Sequence, residues 1–190
     1  MAKVGEFKGK PVVCFYNSDS YLSNCYTKDY KIRDFYTGET ITVNCAQQNF
    51  QFLKARRFSD HILAGRILRE RLPGRQKSLG KRVLTFSFEE WDKECAWVMA
   101  EVLKCKFENC DDLKERLLFD ITPDTYIVEA SREKKWGSGV SMESRDLFDL
   151  SQHKGRNLMG RCLKHTYYQL IGSKENAIRV INNEFWTEGM

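Results

Sequence analysis

Residues 44–55, Asn44-Cys45-Ala46-Gln47-Gln48-Asn49-Phe50-Gln51-Phe52-Leu53-Lys54-Ala55, mark the point where the chain changes its period. Upstream the apolar residues come in short runs; here they begin to recur at helical spacing. Asn44 is expected to cap a helix, with Gln47 three residues on in the reciprocal position. Phe50, Leu53 and Ala55 open its apolar face, and helical spacing sets Gln47, Gln51 and Lys54 along one face.

Working back towards the N-terminus, Pro11-Val-Val-Cys-Phe-Tyr16 is a short apolar run between turn formers and is expected to be a buried strand. Asn17 to Asn24 is a polar turn region. Residues 30–43 hold two strand-like pieces around Thr37-Gly38-Glu39, a hairpin signal. Towards the C-terminus, Asp60 to Arg71 is expected to form a second helix, which Leu72-Pro73-Gly74 ends sharply. A basic stretch, Arg75 to Arg82, leads to Ser87, a helix cap. The next helix runs to about Cys105, with Trp91, Cys95, Val98, Val102 and Cys105 on one face. Asp111 or Asp112 caps a short helix through Leu118. A strand at 125–130, a glycine-bearing loop at 136–139, a polar segment at 140–154 and a helix at 158–171 follow. The last residues, to Met190, are a short helix or a tail. These elements predict an α+β fold, helix-rich, with a small β-sheet built from the N-terminal strands and residues 125–130. Without a repeat or linker, residues 1–190 are expected to form a single domain.

Composition narrows the function classes. The chain has 190 residues, 42% hydrophobic and 30% charged, an ordinary globular balance. Thirty-one Lys and Arg against 26 Asp and Glu leave a net charge of +5, a mild bias towards anionic partners. Seven cysteines without a CxxC pair, and three scattered histidines, argue against a disulfide framework and against a zinc site. We expect no metal and no cofactor. No apolar stretch of about 20 residues occurs, and the N-terminus lacks a signal region. The expectation is a soluble cytoplasmic or nuclear protein with no membrane partner.

Several groups of residues are chemically distinctive. Ser23-Asn24 sits in a polar turn after the buried strand. Gln47, Gln51 and Lys54 share a helix face. Trp91 precedes a helix ending Lys106-Phe107. Glu129 is followed by Glu133 and by Trp136-Gly137-Ser138-Gly139, then by Gly155-Arg156-Asn157-Leu158-Met159-Gly160. Glycine beside tryptophan and asparagine lets backbone approach a planar or phosphorylated ligand. Taken singly, each has an ordinary structural reading: Trp91 as packing, Ser23-Asn24 as a turn, Lys54 as a surface charge.

The succession of these groups, from about residue 12 to 168, resembles the NADAR (YbiA-like) family of N-glycosidases. Asn24, Trp136, Gly137, Asn157 and Gly160 match the family pattern as they stand. The pattern has glutamate at the position of Gln47 and aspartate at that of Glu133. The resemblance implies a YbiA-like fold and a hydrolase of ribosyl C–N bonds, acting on ADP-ribosylated guanine in nucleic acid or, alternatively, on ribosylamino intermediates of riboflavin synthesis. A third reading is a non-catalytic ADP-ribose-binding module. The implied partner is ADP-ribosylated nucleic acid or an ADP-ribose-like nucleotide, which the basic runs Lys54-Ala-Arg56-Arg57, Arg75-Gln-Lys77 and Lys81-Arg82 suit.

Position 47 is then expected to do acid/base work, Glu133 to serve the ribose or the water, and Trp91 to wall the base. Lys28 is the preferred amine if an imine forms, with Lys54 the other candidate. Ser23, Asn24, Gln51, Lys54, Trp136, Gly137, Gly139, Asn157, Leu158 and Gly160 are expected to bind substrate. Glu133 keeps the family's carboxylate on a longer arm. Gln47 keeps shape but cannot exchange a proton near neutral pH, so this form is expected to be impaired by about 10²–10⁴ in rate.

Overall fold

A computed structural model describes residues 2–34 and 37–182 and divides the chain into two compact units, Asn24–Asp111 and Met1–Ser23 with Asp112–Met190. Among the described residues the fold is the expected α+β type, with seven α-helices and two small sheets.

In the unit formed by the two ends of the chain, the sheet has the order β1 (Lys3–Phe7), β2 (Lys10–Phe15) and β5 (Tyr126–Glu129). The expected strand at 11–16 is its centre. Strand β1, which the sequence did not announce, pairs with it antiparallel through a two-residue turn at Lys8 and Gly9, both at positive φ. Its exposed Val4 and its Gly5 break the alternation that marks a half-buried strand. On the other side β5 runs parallel to β2, Val12 opposite Tyr126 and Phe15 opposite Glu129. Paired on both edges, β2 buries Val12, Val13, Cys14 and Phe15 in succession, as central strands do.

The segment 140–154, expected to be polar, contributes three residues to the core. Met142, Leu147 and Leu150 close one face of the sheet over Val12, Cys14, Tyr126, Val128 and Ala130. Its acids face outwards between widely spaced apolar anchors, a pattern too sparse for a periodicity test. Helix α5 (Asp111–Asp120) precedes β5, and α6 (Leu158–Leu170) packs on β5 and on α7 (Lys174–Ile181). Arg161 of α6 donates to the carbonyls of Val180 and Ile181, fastening the end of α7. Residues 183–190 of the expected tail lie outside the described residues.

The unit Asn24–Asp111 begins with the expected hairpin, β3 (Tyr30–Arg33) antiparallel to β4 (Thr40–Val43). Four helices follow: α1 (Ala46–Arg57), α2 (His61–Arg69), α3 (Pro73–Gly80) and α4 (Phe88–Glu108). The N-cap of α1 is Cys45, not Asn44: its Sγ accepts the Gln48 amide, while Gln48 Oε1 accepts the Asn44 amide at 2.7 Å. The expected Asn44–Gln47 pair is therefore replaced by Cys45 with Gln48, whose side chain reaches back past the cap to the Asn44 amide, and Gln47 is released from it. Asn44 instead donates to Arg71 O at 2.6 Å and accepts from Gln76 at 2.8 Å. The Gln48 amide reaches the last carbonyls of α2 at Ile67, Leu68 and Glu70.

Ser87 caps α4 as expected, and Asp60, where the second helix was expected to begin, is the N-cap of α2. Pro73 both follows α2 and opens α3 at its first position, so the basic stretch is a helix rather than a lead-in. The face of α4 also differs from expectation. Trp91, Cys95, Met99, Val102, Leu103 and Lys106 are buried, whereas Val98 and Cys105 are only partly covered.

Candidate functional site

The expected site residues fall in both units, and each set has its own geometry. In Asn24–Asp111 the central feature is the pair Asn24 and Gln47. The Gln47 amide, in the first turn of α1, donates to Asn24 O at 2.7 Å, and Asn24 Nδ2 donates to Gln47 Oε1 at 2.7 Å. Residue 47 is 3% exposed; its backbone is tied to Asn24 O, and its side chain is directed by the bond from Asn24 Nδ2. It also lies at the positive end of a helix dipole, with no acidic residue in the first turn.

Farther along the same face, Gln51 lies against the end of α3, where Gly80 leaves room for it: a Cβ there would sit 1.7 Å from Gln51 Oε1. Lys54 Nζ donates to Gly80 O at 3.0 Å and stands 3.8 Å over the Phe86 ring. Gln51 and Lys54 are therefore brought together at Gly80. Trp91 is buried in an aromatic cluster, 5.2 Å from Phe50 and 6.3 Å from Phe58 between ring centres. Lys28 is half-buried, its backbone amide on Asn44 O at 2.9 Å.

Lys106 is a residue that motif reading passed over except as part of a letter pair. It is 1% exposed on α4, near the ring faces of Tyr26 and Phe107. Burial pushes its pKa down to about 7, against weaker opposition from the thiols of Cys110, Cys45 and Cys25. A lysine in that condition carries a substantial neutral, nucleophilic fraction at neutral pH. The signal available in sequence was its position: 106 continues the buried series 91, 95, 99, 102 at helical spacing.

In the other unit, the loop from Ala130 to Asn157 is folded into a knot of backbone hydrogen bonds. Ser138 N donates to Glu129 O, Gly139 N to Ser131 O, Asn157 N to Gly137 O and Met159 N to Trp136 O, all within 2.9–3.0 Å. Asn157 adopts a left-handed backbone (φ 46°). Its side chain treats β5 as a neighbouring strand would, accepting from Glu129 N at 2.9 Å and donating to Ile127 O at 2.7 Å. Gly160 permits that approach, since a Cβ there would lie 2.0 Å from Ile127 O. Gly137 likewise passes where a Cβ would meet Ser131 Oγ at 2.6 Å and Glu133 O at 2.7 Å.

Glu133 is exposed and folds its carboxylate back onto the loop. It accepts from Lys135 N at 2.9 Å, Trp136 N at 2.5 Å and Gly137 N at 3.3 Å. Trp136 and Gly139 are partly covered, Leu158 is buried at the start of α6, and the Ser23 amide closes a turn on Ser20 O at 2.9 Å.

Among the described residues no group of three or more His, Cys, Asp or Glu side chains is placed to hold a metal ion, and no helix is long and apolar enough to cross a membrane. Comparison with known proteins gives concordant likenesses. A model described as the NADAR domain matches residues 14–170. Protein irg-1 of Caenorhabditis elegans is 27% identical over 184 residues, covering 90% of this chain and 85% of that protein. N-glycosidase R617 of Acanthamoeba polyphaga mimivirus is 33% identical over 119 residues, 62% of this chain and 69% of that protein. The solved structure of the E. coli protein YbiA has the same fold, with a TM-score of 0.63 at 24% identity over 86% of this chain and 87% of that one.

Proposed function

Since the chain belongs to the NADAR family, we propose that it is an N-glycosidic hydrolase that removes ADP-ribose from ADP-ribosylated guanine in nucleic acid, weakened by the glutamine at position 47. The observation that carries this reading is the pair Asn24 and Gln47. A side chain that is buried, held in direction by a neighbouring amide and set at a helix N-terminus is how an acid/base carboxylate would be presented. The relative named N-glycosidase supports the reaction class. The reading takes residues 1–190 as one functional domain of a cytoplasmic or nuclear protein, since the family match runs across both units.

Cleavage of a ribosyl C–N bond builds positive charge at the anomeric carbon and leaves the base needing a proton. A carboxyl at position 47 would supply that proton. Glu133 would face the ribose or the attacking water, and Trp91 would wall the base. On the imine route an amine adds to C1 of the ring-opened sugar, the base leaves with a proton, and water then hydrolyses the resulting imine to free the amine. Lys28 and Lys54 are its candidates, and Lys106 joins them because burial favours its neutral form.

The deciding experiment is hydrolysis of an oligonucleotide carrying ADP-ribosylated guanine, beside a ribosylaminouracil phosphate as competing substrate. Release of ADP-ribose from the oligonucleotide, with little turnover of the free metabolite, is the expected result; the reverse preference would overturn the proposal in favour of a riboflavin-intermediate glycosidase. The amide at position 47 favours a second reading, a non-catalytic ADP-ribose-binding module. That reading requires tight ADP-ribose binding and no turnover even from Gln47→Glu.

A further inference from the structure

Helices α2 and α3 enclose a depression of about 470 Å³ lined by Arg66, Arg69, Glu70, Arg75, Ser78, Leu79 and Arg82. Four guanidinium groups around one hollow are unusual company, because like charges at such range repel. Three other arginines of the same unit hold acids: Arg56 pairs with Asp34, Arg57 with Glu90 and Glu94, and Arg71 with Asp29. None of the four in the depression makes an ion pair with a described residue. The one acid present, Glu70, is engaged by the Leu72 amide at 2.9 Å.

Helix stability explains only half of the cluster. Arg66 and Arg69 sit in the last turn of α2, where a cation complements the helix dipole. Arg75 sits in the first turn of α3, where a cation opposes the dipole and where no acidic residue compensates it. Arg82 lies beyond the end of α3. A cost accepted at Arg75, and repulsion accepted among all four, point to an external anion as the missing partner. The fork of arginine matches a phosphate with two parallel hydrogen bonds, and a shallow hollow on two helices suits a passing strand better than an enclosed small molecule.

We propose that this depression is a subsite for the phosphodiester backbone of a nucleic-acid strand, with Arg66, Arg69, Arg75 and Arg82 contacting successive phosphates. The argument stands on the arginines alone and does not need the glycosidase reading. Such contacts carry affinity without sequence preference, so unmodified oligonucleotides bind as well as any.

The test is fluorescence anisotropy of labelled, unmodified single-stranded DNA titrated with the full chain over a series of salt concentrations. Arg75→Ala with Arg82→Ala should weaken binding about tenfold or more at low salt and reduce the slope of log affinity against log salt by about 1.4, two phosphates at ~0.7 each. Lys31→Ala with Lys174→Ala removes the same charge from exposed positions elsewhere and should shift affinity by less than about threefold. Binding of free ADP-ribose, followed by calorimetry, should be unchanged in both variants. The proposal is overturned if the intact chain does not bind the oligonucleotide, if the arginine variant keeps the full salt slope, if the lysine control loses as much, or if ADP-ribose alone displaces the strand. Any of these results with ADP-ribose binding retained leaves the glycosidase reading standing.

Discussion

Gln47→Glu changes one group, NH₂ to O⁻, at a side chain only 3% exposed. The Asn24 Nδ2 donor at 2.7 Å can serve a carboxylate as well as an amide oxygen, so the orienting bond survives and becomes charge-assisted. The α1 dipole adds about 0.3–1 kcal/mol in favour of the anion, while burial opposes it and pushes the pKa up. These effects compete, but in either protonation state the carboxyl supplies what the amide lacks, a group that can take up and give back a proton. If position 47 supplies acid/base catalysis, the exchange should raise the rate about 10²–10⁴-fold, ~3–5 kcal/mol of barrier. The assay is single-turnover release of ADP-ribose from a modified oligonucleotide, with urea melts and ADP-ribose affinity run alongside. A variant that melts and binds like the parent yet gains less than about threefold would refute the assignment, because geometry and carboxylate would both be present without effect.

Asn157→Ala strips two partners from β5, the Glu129 amide and the Ile127 carbonyl, and should cost about 2–4 kcal/mol in urea melts; Gly160→Ala, whose Cβ would lie 2.0 Å from Ile127 O, should cost at least as much. Lys106→Met should stabilise the chain at pH 7 and flatten its pH dependence. With the folded pKa near 7 and the ordinary lysine value at 10.5, the unfolded chain binds more protons between those limits, so native stability rises with pH across that window and the variant loses part of the rise. Lys164, on Thr122 O and Thr125 O and also pushed down to about 7, supplies a second such slope, so the variant should lose only its own share. Borohydride added during turnover should mark a lysine if an imine forms, with peptide mapping to separate Lys28, Lys54 and Lys106; the absence of any adduct would remove that route. Glu133→Ala strips three loop amides, two exposed and one part-buried, of their acceptor and should cost about 0.5–1.5 kcal/mol, so a rate loss of about a hundredfold or more would separate a catalytic carboxylate from a loop-building one.

The elements legible in the sequence were those with a single dominant local signal. The run at 11–16, the hairpin at 30–43 and the capped helices beginning at Asp60 and Ser87 each had one. Failures came where a residue served a distant partner. Asn44 and Gln47 look like the capping pair of α1, but Asn44 is drawn away by Arg71 and Gln76, and it is Gln48 whose side chain reaches back to the Asn44 amide. Thus the cap moved to Cys45, a poor capper in isolation. Helix α3 was hidden because Pro73 signals both an ending and a beginning. On α4 the chosen face strayed onto Val98 and Cys105, and the exclusion of charged residues from a predicted core concealed Lys106. The pairing of Asn24 with Gln47 left no local trace: 23 residues separate them, and only the order of motifs along the chain suggested both.

The motif residues divide by what the fold already uses. Asn157 spends both ends of its amide on β5, Gly137 and Gly160 are spaces for backbone and neighbouring side chains, and the carboxylate of Glu133 is occupied by three loop amides. Each has a sufficient structural cause, so the agreement of Asn157, Gly137 and Gly160 with the family pattern, and the carboxylate kept at Glu133, attest the loop and the sheet it braces. The chemistry still to be explained lies in the other set, where Asn24 directs the side chain of residue 47 and burial alters the amine of Lys106. Orientation by Asn24 is indifferent to whether its acceptor is an amide or a carboxylate, whereas proton transfer is not. On the proposed function the same framework would hold a ribosyl nucleotide in either form, and the difference between a hydrolase and a binder would come down to one atom at position 47.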